Sequence, residues 1–256
     1  MTPVDVHALV SGRADGPVVV LSNSMGSTRR MWDRQLPAFE ERFRVVRYDT
    51  RGHGVSPTPQ GPYRIDELAD DVIALMDRLD IEHAHLVGLS LGGMTAMRLA
   101  ARNPDRVDRL ALLCTATALP PASNWAERAD TARTRGTGAI AGAVVERWFT
   151  APYRAAHPAV RAGCEAMVAA TPAEGYAGCC EAIGALDLRD DLSSITAPTL
   201  AIAGSHDPAT PVAKLREIAD GVKDGRLLVV PDAAHLANAQ QPAVVTAALI
   251  EHLEQS

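Results

Sequence analysis

The stretch His85-Leu86-Val87-Gly88-Leu89-Ser90-Leu91-Gly92-Gly93 decides how the chain is read. Residues 85–88 suit a short buried strand, and residues 91–102 carry apolar side chains at helical spacing. Gly88-x-Ser90-x-Gly92 therefore lies at a strand-to-helix turn, where side chains flanking the serine would clash. Such a turn exposes the Ser90 hydroxyl and points the Leu91 N–H into the same space. The motif alone is weak, because a capping serine at a glycine-rich helix start looks the same. Its weight comes from the elements around it.

Working outward, apolar runs alternate with helical patterns. Strands are expected at 18–21, 43–48, 85–88, 110–114, 199–203 and 226–230, with helices at 65–79, 91–102, 211–219 and 242–253. The 65–79 segment has apolar residues at 65, 68, 69, 72, 73, 75, 76 and 79, one helical stripe. Repeated strand–helix–strand units predict an α/β fold with a mostly parallel sheet covered by helices on both faces. A strand at 4–9 would add an antiparallel edge. Residues 119–192 lack β-branched runs and predict about four helices, with N-caps at Asn124 and Thr171. We read 1–118 and 193–256 as the core and 119–192 as a helical lid inserted between sheet strands.

Composition narrows the function. The 256 residues are 47% apolar and 22% charged, which argues against disorder. By surface scaling, roughly 70% of the extended surface can be buried, enough for a full core. A formal charge of −6 disfavours a broad nucleic-acid or anionic-membrane surface. The apolar runs are of strand length, so no membrane span is expected. The first residues show no basic leader before an apolar run, which predicts a cytoplasmic protein. Cys114, Cys164, Cys179 and Cys180 lack metal-ligand spacing and read as reduced thiols; neither metal nor cofactor is expected.

A serine nucleophile needs a base, and the base an orienting acid. Asp207, in Gly204-Ser205-His206-Asp207-Pro208, and His235, in Asp232-Ala233-Ala234-His235, each follow an expected strand. The order Ser, Asp, His past strand carboxyl ends is that of the α/β-hydrolase fold. It favours Asp207 over Asp232 as acid and His235 over His206 as base. Met25, in Ser22-Asn23-Ser24-Met25-Gly26-Ser27, and Leu91 are the expected oxyanion N–H donors, with Asn23 and Ser24 bracing the loop or touching substrate. His53, in Arg51-Gly52-His53-Gly54, reads as structural. Arg51, Arg133, Arg135 and Arg147, the last beside Trp148, are candidates to hold an acidic substrate.

The chain resembles the 3-oxoadipate enol-lactonases of bacterial aromatic catabolism (the β-ketoadipate pathway), members of the α/β-hydrolase superfamily. The resemblance rests on Leu21-Ser22-Asn23-Ser24-Met25-Gly26, Met31-Trp32-Asp33, the 47–54 and 88–93 segments, Glu146-Arg147-Trp148-Phe149-Thr150, Glu174 through Cys180, and the 204–211 and 232–236 segments. It implies Ser90 as nucleophile, Asp207 as acid, His235 as base, and Met25 and Leu91 as oxyanion donors. It also implies a small lactone substrate bearing a carboxylate, with no metal or organic cofactor. Some relatives carry a fused decarboxylase domain; the chain resembles the free-standing form. A carboxylesterase, a C–C bond hydrolase or a slow-turnover binding protein would share the triad.

Overall fold

Seven strands form in the computed structural model, which describes residues 2–255: β1 (Ala8–Gly12), β2 (Val18–Ser22), β3 (Arg44–Tyr48), β4 (Ala84–Leu89), β5 (Val107–Leu113), β6 (Thr199–Gly204) and β7 (Gly225–Val230). They make one sheet in the order β1-β3-β2-β4-β5-β6-β7. Every adjacent pair is parallel except β1 with β3. All residues of β4 and β6 are buried. Coverage on both faces is what makes such strands unbroken apolar runs.

The helices of the core are α1 (Leu36–Glu40), α2 (Ile65–Arg78) and α3 (Leu91–Arg102) before the insertion. The insertion holds five helices rather than four: α4 (Ala122–Arg135), α5 (Gly138–Trp148), α6 (Ala151–Ala156), α7 (Pro158–Ala169) and α8 (Ala173–Gly184). The core resumes with α9 (Val212–Gly221), α10 (Ala237–Gln240) and α11 (Pro242–Leu253). The fold is thus an α/β-hydrolase fold, a mostly parallel sheet flanked by helices with an inserted helical lid region. Among the described residues, no helix is long and apolar enough to cross a membrane.

Local expectations shift in three places. The first strand starts at Ala8, not Val4, because the Val4 N–H is taken by Asp71 Oδ1 at 2.8 Å and holds that segment against α2. The N-cap of α4 is Pro121, which leaves Asn124 inside the first turn. The N-cap of α8 is Pro172, and Glu174 reaches outward to the Gly61 N–H at 2.7 Å instead of back to a cap at Thr171. The lid is clamped to the core there: a Cβ on Gly175 would stand 2.1 Å from the Gly52 carbonyl oxygen. Arg133 ties α4 to α8 through Glu174 at 2.8 Å and Glu181 at 2.6 Å.

The last helix is joined to the sheet by a buried histidine. His252 Nε2 lies 3.0 Å from the Leu110 carbonyl, which can only accept, so Nε2 carries the proton. Arg226 donates to Nδ1 at 3.2 Å, and the ring is therefore neutral. Burial, helped by Arg109 and Arg226 against the pull of the Leu110 carbonyl, lowers the His252 pKa from 6.5 to about 4. The unfolded chain then binds this proton first as pH falls. We expect stability to decline between pH 6.5 and about 4 by up to ~1.4 kcal/mol per pH unit from this group. Urea melts across that range should show the decline, and His252→Gln should flatten it.

Candidate active site

Ser90 joins β4 to α3 with φ 57° and ψ −116°, a strained conformation for a residue with a side chain. Its N–H donates to the Leu113 carbonyl at 2.9 Å, and the Thr115 hydroxyl donates to its carbonyl at 2.7 Å. The flanking glycines are required by contact. A Cβ on Gly88 would stand 2.3 Å from the Gly92 oxygen, and one on Gly92 2.3 Å from the Ser22 oxygen.

Asp207 lies just past β6. Its Oδ1 accepts from the N–H groups of Ala209 at 2.8 Å and Thr210 at 3.2 Å. Its Oδ2 accepts from the Thr210 hydroxyl at 2.6 Å and from His235 Nδ1 at 2.8 Å. Burial raises the Asp207 pKa, but the facing His235 and the hydrogen bonds of His235 and Thr210 outweigh it and hold the carboxyl below its ordinary value. The ionised carboxylate fixes a proton on Nδ1, so Nε2 is the ring nitrogen that can accept. His235 and Ser90 line one cavity. His206 is exposed and meets Ser205 Oγ at 2.9 Å, and Asp232 is an exposed turn residue with φ 52°.

The loop after β2 brings Ser24 and Met25 to the same cavity. Asn23 is turned away from it: Nδ2 donates to the Tyr48 carbonyl at 2.5 Å, and Oδ1 accepts from Trp32 Nε1 at 3.1 Å. Among the described residues, neither the Met25 nor the Leu91 backbone N–H donates to a protein acceptor. Leu91 is the first residue of α3, where an N–H has no intrahelical partner.

The cavity, about 330 Å³, is roofed by the lid. Arg147 and Trp148 line it, as expected, but Arg133 and Arg135 do not. Arg133 is spent on Glu174 and Glu181, and Arg135 is exposed at the end of α4. Arg51 likewise lies outside the cavity. It is buried, with Nε and Nη2 each 2.6 Å from the Asp71 carboxylate, and lies over the Tyr63 ring.

The arginine that sequence reasoning missed is Arg128. It lines the cavity, donates to the Tyr176 hydroxyl, and lies 5.5 Å from the Trp125 ring centroid and 5.3 Å from that of Tyr176. Trp125 and Arg128 are three apart on α4, a spacing that stacks them on one helix face and could have marked the pair. Arg147 is half-buried and, among the described residues, has no ion-pair partner. Burial and the neighbouring Arg128 charge lower its pKa.

Residues 17–138 match a family profile described as alpha/beta hydrolase fold, and residues 169–256 one described as TAP-like protein. The chain is 41% identical to 3-oxoadipate enol-lactonase 2 of Acinetobacter baylyi over 90% of its own length and 86% of that protein's. A RutD protein of Variovorax paradoxus, named as a carbamate hydrolase, is 34% identical over 97% of this chain and 96% of its own. The crystal structure of the enol-lactonase from Burkholderia xenovorans LB400 superposes with a TM-score of 0.95 at 43% identity, covering 98% of this chain and 96% of that one. Likeness of this extent reaches far beyond one serine motif, and the chain belongs to the α/β-hydrolase superfamily, related within it to the enol-lactonases and RutD proteins.

Proposed function

We propose that the protein is a serine-dependent enol-lactonase that opens 3-oxoadipate enol-lactone to 3-oxoadipate. The observation that carries this reading is Arg147, a half-buried guanidinium with no ion-pair partner among the described residues, in the cavity that holds Ser90 and His235. A substrate carboxylate supplies the missing partner, with Arg128 beside it. An uncharged ester or carbamate would leave that charge enclosed and unpaired, a costly arrangement in a desolvated site. The names of the enol-lactonase relatives support the same substrate.

In this reading His235 Nε2 takes the Ser90 proton as the serine oxygen attacks the lactone carbonyl, and Asp207 stabilises the imidazolium. The N–H groups of Met25 and Leu91 hold the oxyanion. Collapse breaks the ring C–O bond. The departing oxygen is an enolate, a much weaker base than an alkoxide, so its expulsion leans little on acid help; it takes the proton that His235 holds, giving an enol that tautomerises to the ketone and returning His235 to its basic form. Water deprotonated by His235 then cleaves the acyl-enzyme and regenerates Ser90. The 119–192 segment acts as the lid that supplies the arginines.

Turnover of the enol-lactone against p-nitrophenyl acetate tests the assignment. The lactone should be preferred in kcat/KM, and Ser90→Ala should lower both activities by about 10⁴-fold or more. Ester turnover without lactone turnover would overturn the substrate, and unchanged activity in the variant would overturn the nucleophile. Arg147→Met should cut kcat/KM for the lactone by about 10- to 100-fold, the worth of a charge-assisted hydrogen bond, while sparing p-nitrophenyl acetate. Because its guanidinium has no ion-pair partner among the described residues, the same variant should melt at a higher temperature. Asp207 stays ionised throughout the working range, so the acid limb of log kcat/KM against pH should have a slope of one; a slope of two would show that the carboxylate titrates as well.

A further inference from the structure

Ser24, Met25, Gly26 and Ser27 form a tight turn closed by the Ser27 N–H donating to the Ser24 carbonyl at 3.1 Å. Gly26 has φ 78° and Met25 is not among the positive-φ residues, which makes it a type II turn. The Ser27 hydroxyl also donates to the Ser24 carbonyl, at 2.6 Å. That carbonyl shares a peptide plane with the Met25 N–H, so the two bonds aim the N–H the opposite way. The next peptide, Met25 to Gly26, has no such internal anchor. Glycine at the third position lets it rotate at little cost, because φ can change sign there, and a rotation that opens the turn withdraws Ser27 from the Ser24 carbonyl and frees the Met25 N–H.

What holds it is a side chain from another loop. Gly26 N–H donates to His53 Nε2 at 2.9 Å. The opposite ring nitrogen, Nδ1, lies 3.2 Å from the Arg51 carbonyl, an obligate acceptor, so Nδ1 carries the proton and Nε2 is the acceptor. Arg51 is itself fixed by its two 2.6 Å contacts with Asp71. His53 is 1% exposed, and burial, against the Arg51 carbonyl and Asp49, lowers its pKa and keeps the ring neutral.

We propose that His53 is a positioning residue for catalysis: by accepting the Gly26 N–H it locks the type II turn and so holds the Met25 N–H on the developing oxyanion. This rests on the serine-hydrolase part of the proposed function and not on the identity of the lactone. His53 touches no substrate. Its removal should weaken stabilisation of the transition state and leave ground-state binding nearly unchanged.

The test uses p-nitrophenyl acetate, so that a wrong lactone assignment does not bear on it; turnover surviving Ser90→Ala would instead mark failure of the serine reading itself. His53→Asn keeps a polar group near the Arg51 carbonyl but is too short to reach Gly26, whereas His53→Gln reaches it with an amide oxygen. The Asn variant should lose about 10- to 100-fold in kcat, less than deletion of an oxyanion donor, with KM within about twofold. The Gln variant should recover most of the loss. Affinity for phenylboronic acid, whose adduct on serine is a tetrahedral anion, should fall in parallel with kcat, while non-covalent binding of adipate should not. Wild-type kcat and boronate affinity in a folded Asn variant would overturn the proposal, as would a kcat loss without a boronate loss or without recovery by Gln. Should the Asn variant not fold, the wild-type protein decides. A scalar coupling between the Gly26 amide nitrogen and His53 Nε2 is expected by NMR, and its absence overturns the proposal.

Discussion

The chain must leave β4, reverse and enter α3 through the single residue Ser90, and this constraint shapes everything around it. A residue held at such φ and ψ costs about 1–3 kcal/mol and survives only where its surroundings over-determine it. Here they do. Leu113 and Thr115, at the end of β5, fix the serine peptide from one side, and the bare backbones of Gly88 and Gly92 close the turn from the other. The Gly92 contact with the Ser22 carbonyl also draws α3 against the end of β2. One tight turn therefore sets the position of Ser90 and fixes the start of the Ser22–Ser27 loop against the first turn of α3.

That dependence explains which parts of the molecule were legible. The 91–102 and 242–253 helices coincide with α3 and α11, because periodicity and proline at the helix start act locally. Asp207 and His235 were identifiable because chain order and strand ends carry the pairing, although 28 residues separate them. β1 was misplaced because its start depends on Asp71, on a distant helix. Arg128 lies in the cavity and Arg133 outside it for a related reason. Arg128 and Arg133 share one helix, but their fates follow from α8: Tyr176 receives the first, and Glu174 and Glu181 the second. No pattern within α4 encodes which face α8 will cover.

The arginines also separate stability from function. Arg51, Arg98 and Arg133 each meet carboxylates, with distances of 2.6 to 2.8 Å. Such pairs are close to neutral for stability when buried, but breaking one leaves a charge without compensation. Arg147 stands in that uncompensated state within the folded chain, its charge opposed by burial and by Arg128. Among the described residues, Arg128 and Arg147, the two guanidinium groups of the cavity that Ser90 lines, form no ion pair, whereas Arg51, Arg98 and Arg133 outside it do. Local instability concentrated at a site is the usual trade against tighter ligand recognition.

Tyr176 joins the two halves of that site. Its hydroxyl accepts from Arg128, and its ring lies 3.1 Å from where a Gly26 Cβ would stand. The Met25–Gly26 turn is thus pressed by a lid residue on one side and bonded to His53 on the other. α8 cannot swing freely as a gate, since Gly175 abuts Gly52 and Gly178 packs against the Tyr63 ring. Arg128 in the cavity and the Met25–Gly26 turn beside it share one buried phenol. In the proposed reading, recognition at the lid and electrostatics at the serine form one unit, and preorganisation of that kind avoids the reorganisation that a mobile site would have to undergo at each turnover.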